Sequence, residues 1–136
     1  MLAHTNGKSM SAVFITFSGN CKKALTFYQS CFGGILRLQP FEAALPPYME
    51  MPMVSGSLHS DKITIYGSDL VHKEGRNPGN YISIFLFCNN SDDRRELMVK
   101  LATHTIKPFL GNKEDQKLIE ITDVFDVRWV LAVGEE

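Results

Sequence analysis

Four histidines, three cysteines and 15 acidic residues are the groups in this 136-residue chain that could do metal, nucleophilic or acid–base chemistry. Their spacing speaks against most of it. His4, His59, His72 and His104 lie far apart, and no pair stands at the short spacing from which metal sites are usually built. His104 follows a helical stretch, where an imidazole suits the negative end of the helix dipole. His59 alone falls inside a strand-like run and is the candidate ligand contact, set against the ordinary role of a solvent-facing strand histidine. Cys21, Cys31 and Cys88 are odd in number and contain no C-x-x-C pair. Small buried apolar groups are therefore expected rather than a zinc or disulfide framework.

The carboxylates read in a similar way. Glu42, Glu50 and Glu74 fall in loop-like sequence as solvated charges. Asp92-Asp93-Arg94-Arg95-Glu96 resembles a catalytic cluster, but it opens a helix, so capping and a solvated outer face explain it. Asp123 and Asp126 flank Phe125 in a turn, where aspartate bonds back to the main chain. Neither a nucleophile elbow nor a P-loop nor a dinucleotide fingerprint is found.

The elements that must position these residues occur in a repeating order. An apolar strand at 13–17 ends at Ser18-Gly19-Asn20, and Ala24, Leu25, Phe27, Tyr28, Cys31 and Phe32 then recur at helical spacing. Gly33-Gly34 stops this helix. A strand is expected at 35–41 and a loop at 42–54, where Pro46, Pro47 and Pro52 forbid regular structure and a lid is conceivable. Strands at 55–60 and 62–68 turn at Ser60-Asp61, and a polar linker covers 70–80. The second half gives a strand at 81–88, a helix at 91–103 with Leu97, Met98 and Leu101 as its stripe, and strands at 106–110, 118–122 and 127–133 with a turn at 111–117. Both halves read β-α-β-β-β, eight strands and two helices in all.

Bulk properties exclude other classes. The net charge is −1, and the 14 basic residues are scattered, so no nucleic-acid partner is expected. No apolar run approaches the ~18 residues that span a bilayer, so no membrane partner is expected either. Residues 1–9 lack the apolar core of a signal peptide, and 1–10 read as a flexible tail before one domain at 11–136; the expected compartment is the cytoplasm.

The run G-N-C-K-K-A-L-T-F-Y-Q-S-C-F-G-G, Gly19 to Gly34, resembles the first-helix signature of the vicinal oxygen chelate superfamily. That group holds glyoxalases, bleomycin-resistance proteins and extradiol dioxygenases. Ser68-Asp69 and T-D-V-F-D-V-R-W, Thr122 to Trp129, are similar to its PhnB-like branch, and the likeness spans about 12–133. It implies an α+β fold of two β-α-β-β-β modules, about 12–69 and 81–133. Their curved mixed sheets would surround a pocket, with helices on the convex side, in a homodimer. Some PhnB-like sequences carry a methyltransferase label, but no glycine-rich loop for S-adenosylmethionine is found here.

In metal-dependent members the ligands stand on inward-facing strand positions. The equivalents here are Val13, Tyr81 or Ser83, and Val130, with Ser55 where a histidine is frequent. None is a good ligand, so no metal and no cofactor is expected. Alternation lines the pocket with Val13, Ile15, Phe17, Tyr81, Ser83, Phe85, Phe87, Arg128 and Val130, and Tyr66 and Asp69 reach its rim. Arg128 is open to two roles, an anion contact or a surface ion pair. The ligand-contact set is thus His59, Tyr66, Asp69, Tyr81, Ser83, Phe85, Arg128 and Val130, with no catalytic residue assigned. The reading that follows is metal-free binding of a small organic molecule. Its rivals are a lyase, isomerase or dioxygenase using His59, Tyr81 or Asp69, and a dimeric structural module without ligand.

Overall fold

The structure is a computed structural model that describes residues 11–40, 53–69, 79, 81–105 and 117–133. The expected tail, the strand at 106–110, the loop at 42–52, the turn at 111–116 and most of the linker lie outside the described residues, as do His4, His72, Glu42, Glu50 and Glu74. The chain divides into two compact units, Met1–Asn77 and Pro78–Glu136.

In the first unit β1 (Val13–Phe17), α1 (Cys21–Phe32), β2 (Ile35–Pro40), β3 (Met53–His59) and β4 (Thr64–Asp69) follow one another. The sheet order is β1-β4-β3-β2, with β1 parallel to β4 and the other pairs antiparallel. The β3–β4 turn is where Ser60 and Asp61 placed it. Ser60 Oγ accepts from the Ile63 amide at 3.0 Å, and the Ser60 amide donates to the Ile63 carbonyl at 3.0 Å. Phe17, Cys21, Ala24, Leu25, Tyr28, Leu58 and Ile65 are fully buried where α1 lies on the sheet. Of these, Phe17, Leu25, Leu58 and Ile65 each stabilise the fold by about 1.5–3 kcal/mol on burial.

The second unit repeats the pattern with β5 (Ile84–Cys88), α2 (Ser91–Leu101), β6 (Leu118–Thr122) and β7 (Arg128–Val133). Its order among the described residues is β5-β7-β6, with β5 parallel to β7 and β6 antiparallel to it. Leu97, Met98 and Leu101 of α2 are buried, as are Leu86, Ile119, Ile121, Trp129 and Leu131 on the strands α2 packs against. Asn90 caps α2 by accepting from the Asp93 amide at 2.8 Å, and Asp92 and Asp93 sit in its first turn. Asp92 and Asp93 of the 92–96 cluster thus lie at the helix's positive end, but the cap is Asn90, and Arg94 is buried at 3% exposure rather than solvated.

One boundary differs in a way that matters. The strand expected at 81–88 starts only at Ile84, whose partner is Trp129. Its neighbour β7 begins at Arg128, after the turn at Asp123–Val127, so among the described residues nothing pairs with 81–83.

The stop after α1 is strict about glycine. Gly33 and Gly34 both have positive φ, 73° and 100°. A Cβ on Gly33 would meet nothing within 4 Å, whereas one on Gly34 would run into the His59 carbonyl oxygen and come within 2.8 Å of Ser60 Cα. Gly33→Ala should cost about 1 kcal/mol for left-handed backbone alone, and Gly34→Ala about 3 kcal/mol or more because backbone must also move. Urea denaturation of both variants checks this; equal losses would contradict it.

Candidate functional site

Strand alternation gives each sheet one face against its helix and one without a helix. In the first unit Val13, Ile15 and Phe17 share the helix side with Ile65, Gly67 and Asp69, their partners in register. This corrects the expectation that they line a pocket. The phase of β1 is one residue off, which exchanges the two faces; Phe14, 56% exposed, is on the helix-free side instead.

The helix-free face of this sheet brings two expected contacts together. His59 of β3 and Tyr66 of β4 are both half-buried, with ring centroids 5.6 Å apart and planes at 87°. Ser57, the register partner of Tyr66, lies beside them and is 7% exposed.

Asp69 turns the other way. Expected at a pocket rim, it is 6% exposed and its Oδ1 accepts from the amides of Gly19 at 2.8 Å and Cys21 at 2.9 Å. Asn20, at the N-cap of α1, provides no side-chain bond, so a carboxylate from β4 satisfies the amides at the helix entrance. Two main-chain donors and near-complete burial make this a structural carboxylate. Burial, with the Asp69 charge adding to it, pushes the Cys21 thiol up to about 12. Cys21 is therefore held as a neutral thiol near neutral pH and is a poor nucleophile.

In the second unit Phe85, Phe87, Arg128 and Val130 take the helix-free side as alternation predicts. Phe85 and Phe87 are 48% and 70% exposed, and their rings meet edge to face at 4.8 Å. Val130 is the register partner of both Phe85 and Glu120. Arg128 forms an ion pair with Glu120, while its buried Nε makes no hydrogen bond among the described residues. The surface-pair role of Arg128 is thus occupied by a named partner. Tyr81 and Ser83 precede β5 rather than lie within it, and Tyr81 is 86% exposed. On the helix side, Trp129 Nε1 donates to Asp123 Oδ2 at 2.8 Å, and Asp123 Oδ1 accepts from the amides of Phe125 and Val127 at 2.8 and 3.1 Å. The turn role of Asp123 was legible from sequence; its bond to the indole was not.

Among the described residues no three His, Cys, Asp or Glu side chains come together as a metal-holding group. Correcting the phase of β1 moves its candidate ligand positions to Phe14 and Thr16, and β5 and β7 supply Phe85 and Val130. These side chains do not fit the metal that the resemblance allows.

No protein-family model and no curated protein sequence matches the chain. Solved structures do, and at 21% identity or less they show the fold alone, an α+β arrangement of mixed sheets and two helices. Protein PA1353 from Pseudomonas aeruginosa superposes with a TM-score of 0.75 at 21% identity, covering 95% of this chain and 100% of that one. The PhnB protein from Bacillus cereus, described as a 3-demethylubiquinone-9 3-methyltransferase, gives 0.69 at 19% identity over 93% and 100%. The fosfomycin resistance protein FosX from Listeria monocytogenes, complexed with Mn(II) and sulfate, gives 0.55 at 13% identity over 93% of each chain.

Asp69→Ala should lower stability by about 3 kcal/mol, since one buried and one part-buried amide lose a charged acceptor. Ser68→Ala, one residue away on the opposite face, should stay within about 0.5 kcal/mol. Chemical denaturation of the pair decides it; a silent Asp69→Ala would show that the carboxylate is not structural.

Proposed function

We propose that this protein binds a small organic molecule without a metal ion, and that holding the molecule, rather than transforming it, is its task. The observation that carries this reading is the Phe85–Phe87 pair. Two phenyl rings in mutual contact, 48% and 70% exposed, stand on the sheet face away from the core. Large exposed aromatic area of this kind is usual where a ligand is received by shape and stacking. Val130 extends the apolar surface beside Phe85, and Arg128 adds a cation already held in place by Glu120. Ser83 and Tyr81, just before β5, complete the contacts proposed for this unit. That one protein of the same fold is a fosfomycin resistance protein is in keeping with a small-molecule task on this scaffold. The homodimer implied by the resemblance belongs to the same proposal.

A panel of neutral aromatic and apolar metabolites, titrated calorimetrically into the full chain, tests the reading. At least one compound should bind saturably. Phe85→Ala and Phe87→Ala should each weaken it about tenfold, as loss of one buried aromatic contact requires, without lowering the melting temperature, because neither ring serves the core. No saturable binding across the panel would overturn the proposal. Steady conversion of a bound compound into product would replace it with the enzyme reading.

A further inference from the structure

The Phe85–Phe87 face carries one charged pair. Its three strands run in the order β5-β7-β6, and the register places Phe85, Val130 and Glu120 in one row across them. Adjacent strands are about 4.8 Å apart, so the backbones of Phe85 and Glu120 are about 10 Å from each other. Arg128 is the next residue along β7 on the same face; it lies opposite Thr122 and diagonal to Glu120. Its guanidinium crosses that diagonal to form an ion pair with the carboxylate. Among the described strand residues of this face, Arg128 and Glu120 are the only charged ones.

The pair is neither buried nor freely hydrated. The two side chains are 30% and 50% exposed, within reach of a ring stacked on Phe85 that carries a short polar arm. Arg128 Nε, by contrast, is enclosed and makes no hydrogen bond among the described residues. A guanidinium shut off from water on one side depends on its counter-ion, because partial desolvation raises the cost of an unpaired charge. Glu120 meets that need. It also presents negative charge to whatever approaches Arg128 from the open side.

We infer that Glu120 sets the ligand class of this face: it keeps Arg128 for uncharged aromatic molecules with a carbonyl-type acceptor and turns carboxylates away. The inference rests on the Phe85–Phe87 reading above. An amide or ketone oxygen accepts from the outward N–H groups of Arg128 without disturbing the ion pair. A carboxylate must either sit beside Glu120, where like charges oppose each other, or displace it from the guanidinium. The class is thus fixed by a repulsive group rather than an attractive one. Removing that group converts the face. The guanidinium then lacks a partner, and a ligand carboxylate takes the place that Glu120 held.

The test titrates phenylacetamide and cinnamamide, and the matched acids phenylacetate and cinnamate, into the full chain at neutral pH, read by ligand-observed NMR. The amides should bind saturably and the acids at least about tenfold more weakly, the size of one charge-dependent contact. In Glu120→Gln the ratio of the two affinities should move at least about tenfold towards the acids. Glu120→Asp, which retains the charge, should keep the original preference. Adding Arg128→Gln to Glu120→Gln should abolish the gain, which separates capture by the guanidinium from a general loss of negative charge. Acids that bind the unaltered chain as tightly as amides would overturn the inference. So would a ratio that Glu120→Gln leaves unmoved while the amides still bind; both results leave the Phe85–Phe87 reading standing. Binding of neither class to any form would overturn that reading, and the inference with it.

Discussion

A buried carboxylate ties the first unit together. Asp69 closes β4, and its Oδ1 holds the amides of Gly19 and Cys21, the two residues that flank Asn20 at the start of α1. The bond joins positions 48 and 50 residues apart in sequence and sets where the helix leaves the sheet. Once that exit is fixed, Cys21, Ala24, Leu25 and Tyr28 all reach the core, and the sheet's other face is left without a helix. The second unit solves the same problem locally. Asn90 caps α2 within its own turn, and the residue equivalent to Asp69 in register, at the end of the strand parallel to β5, is Val133. Its buried aspartate, Asp123, instead organises the turn into β7 and holds the Trp129 indole in place.

Each helix covers one side of its sheet, and the unpacked aromatic side chains Phe14, Phe85 and Phe87 stand on the other. The two helix-free faces have diverged. That of the second sheet is aromatic and apolar around Phe85, Phe87 and Val130, with its cation matched by Glu120. That of the first sheet carries Arg37, Ser57, His59 and Tyr66 and, among the described residues, no carboxylate. A duplicated scaffold needs its capping and core positions kept chemically sound, but it leaves the outward-alternating residues free to vary.

The sequence revealed the elements well because their signals are local. Apolar spacing in α1, the Gly33-Gly34 stop and the Ser60 turn each rest on contacts a few residues apart, and each is where its residues placed it. The site was only partly legible. Phe85, Arg128 and Val130 alternate with Leu86, Trp129 and Leu131, large apolar residues that mark the core side without ambiguity. In β1 every residue from Val13 to Phe17 except Thr16 is apolar, so composition gives no phase, and it was the pairing with Ile65 and Asp69 that set it. Tyr81 and Ser83 look strand-like until one sees that β7 starts too late to pair with them. Asp69 was misjudged because its partners are distant in sequence, and no local pattern announces a long-range cap. The proximity of His59 and Tyr66 was implicit in the hairpin, since a turn at Ser60 sets them diagonally across two strands.

The central claim is that this scaffold works through side chains and not through a metal. The measurement that tests it most directly is elemental analysis of the purified full chain, joined to ligand titration before and after exhaustive chelation. The account predicts divalent metal well below one equivalent per chain and the same affinity in both titrations. A full equivalent of bound metal whose removal abolishes binding, and whose return restores it, would contradict the account.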